Sequence, residues 1–529
     1  MEVFTEGQIR ASVVFQAAKL SSHLLRAARA ATGEAGWDCI VAGEVRGVRL
    51  VCVERLLPTD PVIQSLTSAN PAVVLVTHAN GDEEVDSCGP GVAGILLCHA
   101  LPHLSHLALR SRQAKCPLVA IEDPALVNHA RSLRDGGVHF VAQPGGNISL
   151  NKCDVTAQAG GGDSKQSRAP AQALVADRSA AGQVIDLVTL GNAEWASAVA
   201  VAGSKGTACA QLAAMASDPR CGFAAPAGAV LPFGSMEAAA RAVGADGRLS
   251  SLVDALELCA GDPGRAARLC DELQELARSL RPSGEILSQL GNLFDNDRGV
   301  VMVRSTGNAE DLAGLSAAGL YDSVSNVNPH DPNVLGAAVA EVWASLFTTR
   351  AVGSRAAAGV GQKDAAMAVL VQQMLVPEVS FILMTKHPMS NDSTVAYAEL
   401  ALGHGETLAS GAVRGTPWRM SMNRAVPGEH RLDAVASFSS ALVPSATGNG
   451  ELVSRPVNSG SHWMTTDEPR RASLARELVN AGDLIEQKLG RNEGGVRGAG
   501  NNNEPQHQDI EGCVTENGRV WIVQARPQP

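Results

Sequence analysis

The chain has 529 residues, of which 45% are hydrophobic, and its formal net charge is −11 at pH 7. This length is typical of two or three domains, and the acidic charge argues against a nucleic-acid binder, which normally presents a basic face. No run approaches the roughly 18 apolar residues of a membrane helix, and none of the eleven cysteines forms a CxxC pair, so we expect neither a zinc site nor a disulfide framework.

Residues 1–154 show the pattern of a compact α/β domain. Apolar residues recur at helical spacing in 8–32. Short β-like runs and helical patterns follow, the runs at 49–56, 72–77, 92–97, 117–123 and 138–143 and the helices at 106–114 and 124–134. The N-terminus resembles neither a signal peptide nor a transit peptide, so we expect that the protein stays where it is made or that its original N-terminus is absent.

The small and polar residues of 155–182 predict a flexible linker. A long surface loop inside a single domain is the alternative interpretation. Residues 183–529 are again mixed α/β, with strands at 228–233, 299–305, 367–376, 379–385 and 519–525 and helices at 205–216, 263–280, 334–348 and 470–488. The hydrophilic stretch 490–508 predicts a disordered insertion.

His106 is the candidate phosphate carrier. The β-like run at 92–97 leads through a Pro-containing loop to Ser105 and His106, where a helical pattern begins. Backbone N–H groups at a helix start favour a bound anion, and an imidazole with an ordinary pKa of about 6.5 is mostly neutral at pH 7 and can attack phosphorus. A surface or capping histidine is the alternative, and His103 and His99 are the competing candidates.

Two basic residues lie in segments suited to binding phosphates. Lys205 opens a helix within Gly-Ser-Lys-Gly at 203–206, which is not a P-loop, and a solvated lysine is the alternative. Arg304 ends a predicted strand and enters a loop rich in small residues, where its guanidinium can clamp a phosphate through two hydrogen bonds.

The C-terminal residues 509–527 predict two strands joined by a turn at 516–518. Alternation puts two carboxylates on one face of the first strand, and an amide and a guanidinium on one face of the second; the residues are Asp509, Glu511, Gln524 and Arg526. Such a set can hold Mg²⁺ and the phosphates that it bridges. A surface ion pair on an edge hairpin is the alternative. Glu406 lies in a Gly-rich turn at 403–411, which is equally compatible with an ordinary loop.

These segments resemble a known superfamily. LPHLSHLALRSRQAK (101–115), VRSTGNAEDLAGLSAAGLYDSVSNV (303–327), DIEGCV and VQARPQP are similar to the dikinases that include pyruvate, phosphate dikinase and the glucan, water dikinases. Within that superfamily the chain is most similar to the phosphoglucan, water dikinases. The likeness runs from residue 2 to residue 529.

The resemblance implies a role for each candidate residue. It implies an α/β fold with an N-terminal swivelling phosphohistidine domain at 1–154 and a C-terminal ATP-grasp-like nucleotide-binding domain at 183–529. His106 would carry the phosphate. The residues implied to bind ATP are Lys205, Arg304, Arg526 and Glu406, and those implied to bind Mg²⁺ are Glu511, Gln524 and Asp509. Where the family often has GLGE, this chain has Gly-His-Gly-Glu at 403–406.

The function implied is that of a phosphotransferase with paired acceptors. It would phosphorylate its histidine with the β-phosphate of ATP, release AMP and phosphate, and transfer the phosphoryl group to a glucosyl hydroxyl, at C3, of phosphorylated α-glucan (starch). The alternatives are a glucan, water dikinase acting on unphosphorylated starch and a non-catalytic ATP-binding fragment. The resemblance implies the plastid stroma, although we expect this chain to carry neither the family's transit peptide nor its starch-binding module; otherwise we expect a cytoplasmic protein. We expect no nucleic-acid or membrane partner, and the oligomeric state is left open.

Overall fold

The computed structural model describes most of the chain from residue 36 onwards. The exceptions are residues 59, 81, 82, 84, 86, 87, 144–147, 156–173, 260, 261, 295–298, 311–319, 412, 446–450, 493–504 and 529, and of the first 35 residues only Val13, Leu20 and Leu24 are described. The helix predicted at 8–32, most of the linker predicted at 155–182 and most of the insertion predicted at 490–508 therefore lie outside the described residues.

The chain divides into two compact units. The first consists of Met1–Ala79, Cys88–Ala100 and Lys115–Asp163, and the second of Asn80–Ser87, Leu101–Ala114 and Ser164–Pro529. The segment that contains His106 is therefore part of the second unit.

A seven-stranded sheet forms the centre of the first unit. Its strands are β1 (Trp37–Val41), β2 (Gly43–Val53), β3 (Ala72–Val76), β4 (Val92–Leu97), β5 (Leu118–Ile121), β6 (Gly137–Ala142) and β7 (Ile148–Lys152), in the order β1-β5-β4-β3-β2-β6-β7. The four central strands are parallel and the outer ones antiparallel. Every residue of β3 is buried, which is typical of a parallel strand covered on both faces.

Three helices follow strands of this sheet in the sequence: α1 (Pro61–Gln64), α2 (His106–Gln113) and α3 (Pro124–Ser132). The first and third begin at Asp-Pro pairs. The Asp60 side chain accepts a hydrogen bond from the backbone N–H of Val62, and the Asp123 side chain accepts one from Ala125, each at 2.8 Å. Proline as the first helical residue and aspartate before it are the favoured way to start a helix.

The second unit contains a five-stranded antiparallel sheet. Its strands are β8 (Ile185–Asp186), β9 (Gly228–Leu231), β10 (Val301–Gly307), β11 (Ser323–Val327) and β12 (Met367–Gln373), in the order β11-β10-β12-β9-β8. The helices in this part of the unit are α4 (Leu187–Gly191), α5 (Trp195–Ala216), α6 (Ser235–Ala242), α7 (Asp246–Glu257), α8 (Pro263–Ser279), α9 (Gly284–Asn292), α10 (Pro332–Ser345) and α11 (Thr349–Ala357). Trp343 and Leu273 belong to the core between the sheet and these helices.

A six-stranded antiparallel sheet lies in the same unit. Its strands are β13 (Val379–Met384), β14 (Val395–Leu402), β15 (Trp418–Asn423), β16 (His430–Ala434), β19 (Gln508–Val514) and β20 (Val520–Pro527), in the order β16-β15-β14-β13-β19-β20, while β17 (Ser440–Pro444) and β18 (Leu452–Pro456) pair separately. The remaining helices are α12 (Glu406–Ala409), α13 (Trp463–Thr466) and α14 (Glu468–Asn492). Helix α5 contacts β9, β10 and β12 of one sheet and β20 of the other, so residues on it lie between the two sheets.

The mixed α/β character predicted from the sequence is confirmed, with two local corrections. The strand that contains Arg304 does not end there: β10 continues to Gly307 because the residues after Arg304 pair with β12 as far as Met367. The helix predicted at 205–216 begins ten residues earlier, at Trp195, and is interrupted at Gly203. None of the helices in the described part of the chain is both long enough and apolar enough to cross a membrane.

Candidate functional site

A cavity of about 540 Å³ in the second unit brings most of the predicted site residues together. Seven of them line it: His106, Lys205, Arg304, Glu406, Glu511, Gln524 and Arg526. The eighth, Asp509, is buried, and its Oδ2 accepts a hydrogen bond from Arg526 Nε at 2.9 Å. Residues far apart in the sequence thus converge on one polar cleft.

His106 is the first residue of α2, as the sequence predicts. Ser105 precedes it in an extended conformation (φ −64°, ψ 161°) as the N-cap residue, and its side chain makes no capping hydrogen bond. Of the competing histidines, His103 is buried in the second unit, and His99, in the first unit, accepts a hydrogen bond from the backbone N–H of Ala79 at 3.1 Å. Of these three candidates, the histidine that lines the cleft is therefore the one at the helix start, where N–H groups favour an anion.

Lys205 follows a break in helix α5. Gly203 has φ 72° and ψ 168°, a conformation that is essentially restricted to glycine. The helix resumes immediately, and the backbone N–H of Gly206 donates to the hydroxyl of Thr306 on β10 at 3.0 Å. The break therefore fixes the backbone around Lys205 against the strand that contains Arg304.

Glu310 is a site residue that the sequence analysis did not identify. It forms an ion pair with Lys205, is only 4% exposed, and accepts a hydrogen bond from the backbone N–H of Gly307 at 2.9 Å. Lys205 Nζ also donates to the carbonyl oxygen of Ser305 at 3.0 Å. One feature of the sequence could have pointed to Glu310 as a site residue. It lies six residues after Arg304, within the segment 303–327 on which the resemblance rests.

Arg304 is held between two strands by amide side chains. Its Nη2 donates to Gln524 Oε1 on β20 at 2.5 Å, and its Nη1 donates to Gln372 Oε1 on β12 at 3.2 Å. The planar guanidinium is thus oriented before any ligand arrives, which favours two-point binding of a phosphate. Gln372 also lines the cleft and was not identified from the sequence.

The C-terminal residues form the predicted hairpin, with a β-bulge between Glu511 and Gly512. Asp509 lies opposite Arg526, and Glu511 lies opposite Gln524, on paired strands β19 and β20. Although β20 is an edge strand, the hairpin is more than a surface ion pair, because the Asp509 side chain is fully buried and Glu511 opens into the cleft. The distance from Arg526 Nη2 to Glu511 Oε1 is 4.0 Å.

The charges of the cleft alter the ionisation of two neighbouring residues. Enclosure by protein raises the pKa of Glu406, the nearby Glu511 carboxylate raises it further, and Arg304 offsets part of the effect. Burial and the positive charge of Arg304 lower the pKa of His404 to about 4. The Nδ1 atom of His404 accepts the backbone N–H of Glu406 at 3.2 Å, so the tautomer that fits is neutral and carries its proton on Nε2.

The cleft is suited to a magnesium ion only together with a ligand. No group of three or more His, Cys, Asp or Glu side chains in the described ranges is arranged to hold a metal ion. Two carboxylates, Glu406 and Glu511, nevertheless face the cleft and repel each other. Mg²⁺ is typically held by one or two carboxylates plus the phosphates of a nucleotide, and the donors present fit that mode of binding.

Two family models match the chain. Residues 201–529 match the AMP/ATP-binding domain of pyruvate phosphate dikinase. Residues 36–158 match the phosphohistidine-like domain of α-glucan water dikinase. The two matches leave only the residues around the predicted linker and the N-terminus unassigned.

Curated proteins are also similar to the chain. A rifampicin phosphotransferase of Streptomyces sviceus is 30% identical over 63% of this chain and 34% of its own length. The α-glucan water dikinases 1 (chloroplastic) and 2 of Arabidopsis thaliana align with all of this chain at 23% and 22% identity, covering 35% and 38% of their own lengths. The chain thus spans about a third of the length of these relatives.

Proposed function

Because this chain belongs to the superfamily of the glucan water dikinases and PEP-utilising dikinases, we propose that it phosphorylates His106 with ATP and passes the phosphoryl group to a glucan. The observation that carries the proposal is the single cleft in which His106 faces residues suited to binding phosphates, among them Lys205 and Arg304. Phosphoryl transfer depends chiefly on such positioning and on neutralisation of charge.

The proposed reaction has two phosphoryl acceptors, water and the glucan. A nitrogen of the neutral His106 imidazole attacks the β-phosphorus of ATP; the bond to the α-phosphate oxygen breaks, and AMP leaves. Water then attacks the γ-phosphorus, the bond from that phosphorus to the oxygen shared with the β-phosphorus breaks, and the γ-phosphoryl group leaves as inorganic phosphate. A glucosyl hydroxyl then attacks the phosphohistidine, the P–N bond breaks, and the hydroxyl proton is lost to solvent. The sum is ATP, water and glucan giving AMP, phosphate and phosphorylated glucan.

In the proposed reaction, the cationic residues of the cleft bind phosphates, and its carboxylates and amide complete the nucleotide and Mg²⁺ sites. The side chains of Lys205, Arg304 and Arg526 bind and neutralise the phosphates, and Glu406 completes the nucleotide site. Glu511 and Gln524, with Asp509 nearby, would hold Mg²⁺, which when bound offsets the charge that develops on the phosphate oxygens.

The proposed reaction also requires a carrier that visits two sites. We propose that residues 1–154 form a swivelling phosphohistidine domain, that residues 155–182 act as its linker, and that residues 183–529 form an ATP-grasp-like domain. This arrangement is supported by the proposed reaction itself, because the same imidazole has to reach first the bound ATP and then the glucan.

The acceptor that we propose is phosphorylated α-glucan, modified at C3 of a glucose unit. The second candidate is unphosphorylated α-glucan, because the names of the two Arabidopsis relatives specify an α-glucan without a phosphate. A plastid stroma is the proposed location, supported by the chloroplastic relative.

The proposal is tested with β-³²P-labelled ATP. Wild-type protein should acquire acid-labile label, His106→Ala should acquire none while still binding ATP, and the matched variant His330→Ala, at an exposed histidine that does not line the cleft, should be labelled normally. The labelled wild type is then offered native and prephosphorylated starch, and label should pass preferentially to the second. Label that persists in His106→Ala would move the carrier to another residue, and preferential transfer to native starch would establish the second candidate.

A further inference from the structure

A fully buried carboxylate on strand β14 holds the loop that leads to His106. Glu399 is 0% exposed, and its two oxygens accept the backbone N–H groups of His103 and Leu104, each at 2.9 Å. Its charged partner is Arg419 on β15, with 3.1 Å between Nε and Oε1. The hydroxyl of Tyr397 lies 3.4 Å from the same carboxylate oxygen.

Apolar contacts hold the same loop. Leu104 is buried in a cluster with Ile382 and Tyr397 on strands, Leu408 on helix α12 and Phe438 on a loop. A Cβ atom added to Gly411 would lie 2.6 Å from Leu101 Cδ1, so the loop packs against the backbone there. Polar and apolar contacts therefore fix the same stretch, Leu101–Ser105, immediately before the helix that begins with His106.

We propose that Glu399 and Arg419 form a docking pair that holds the loop Leu101–Ser105 and thereby positions His106 for phosphorylation by ATP. The inference rests on the proposed function, which it deepens: Glu399 acts through the loop and is a positioning residue for the ATP half of the reaction only. Fixing the two N–H groups just before a helix start fixes the first residue of that helix, and an error of about 1 Å in such a position can cost 10²-fold in rate.

The charge arrangement makes this docking reversible. A buried carboxylate that loses its hydrogen-bond donors is strongly destabilised unless another group compensates it. Arg419 contacts Glu399 independently of the loop's N–H groups, so the carboxylate retains a cation when the loop departs. The polar part of this docking therefore rests on hydrogen bonds that can be exchanged for water, while the ion pair keeps the binding site for the loop in place.

The first experiment separates the two halves of the reaction. In Glu399→Gln, which keeps the shape but loses the charge and one acceptor, the rate of labelling by β-³²P-ATP should fall at least tenfold with unchanged affinity for ATP. Once labelled and freed of nucleotide, this variant should pass its label to glucan at least as fast as wild type. Glu486→Gln is the matched control, because Glu486 is also a buried carboxylate paired with an arginine, Arg424, away from the loop.

Two outcomes would overturn the inference: labelling of Glu399→Gln at the wild-type rate, or equal slowing of both half-reactions, which would indicate a merely structural role. Failure of wild type and every variant to acquire label would instead refute the proposed function. A second measurement is independent of activity. Hydrogen exchange of the peptide that contains His103 and Leu104 should accelerate at least tenfold at those amides in Glu399→Ala and remain unchanged in Glu486→Gln; unchanged exchange in Glu399→Ala would refute the docking pair itself.

Discussion

Replacing Gly203 by alanine tests whether the break in helix α5 positions Lys205. The φ of 72° and ψ of 168° at this residue cost a non-glycine residue about 1–3 kcal/mol. The added Cβ would also lie 2.7 Å from Thr306 Oγ1 and 3.0 Å from the carbonyl oxygen of Gly307. The hydroxyl of Thr306 cannot simply turn away, because it donates to the carbonyl oxygen of Ala202 at 2.6 Å; such overpacking costs about 1–3 kcal/mol more.

We therefore expect Gly203→Ala to lower the free energy of unfolding by about 2–6 kcal/mol. Gly222→Ala is the matched control: Gly222 also has positive φ, 79°, but nothing lies within 4 Å of an added Cβ. The control should lose only about 1–2 kcal/mol. Urea unfolding followed by tryptophan fluorescence measures both losses.

The same substitution should weaken the use of ATP, because Lys205 lies two residues after Gly203. The KM for ATP in the labelling reaction should rise in Gly203→Ala and stay at the wild-type value in Gly222→Ala. A loss of stability in Gly203→Ala no larger than that of the control, or an unchanged KM, would refute the reasoning that the break sets the position of the lysine.

Three further substitutions address the cleft. Arg304→Lys keeps the charge, but a lysine cannot bridge two amide oxygens, so kcat/KM for ATP should fall about 10–100-fold. The control Arg220→Lys, at an exposed ion pair, should leave kcat/KM for ATP unchanged. Glu511→Gln should raise the Mg²⁺ concentration for half-maximal labelling at least about tenfold, since it removes a charged oxygen ligand; an unchanged requirement would place the metal elsewhere. As the pH falls from about 6.5 to about 4, unfolded chains bind a proton at His404 before the folded protein does, so this residue lowers the free energy of unfolding in that window. Between pH 7 and pH 4.5, the free energy of unfolding of His404→Gln should therefore fall by up to about 3 kcal/mol less than that of wild type, as measured by urea unfolding at the two pH values. Equal falls in the wild type and the variant would contradict the lowered pKa of His404.

Local patterns predicted those parts of the site that lie close together in the sequence. The alternation of residues 509–527 placed Asp509 and Glu511 on one strand of a hairpin and Gln524 and Arg526 on the other, but the register that sets Asp509 opposite Arg526 and Glu511 opposite Gln524 depends on a β-bulge between Glu511 and Gly512, which the pattern does not show. The position of His106 at a helix start followed from the end of one periodic pattern and the beginning of another.

Contacts between distant segments could not be predicted in this way. Glu399 binds a loop that precedes it by almost 300 residues, and Glu310 pairs with Lys205 across more than 100. Neither glutamate stands out by periodicity, spacing or composition, since a buried carboxylate is recognised only by the partners that compensate it. The extension of β10 beyond Arg304 was missed for the same reason: small residues suggest a loop until pairing with β12 supplies their hydrogen bonds.

The ion pair between Lys205 and Glu310 means that the cleft neutralises one of its own cations. An anion entering the cleft competes with an internal carboxylate for that lysine. Under the proposed function, the polyphosphate chain of ATP would also engage Arg304 and Arg526 and would therefore displace Glu310 more readily than inorganic phosphate, which brings less charge. If the proposed ATP site is correct, this internal ion pair would weaken the binding of small anions relative to that of ATP.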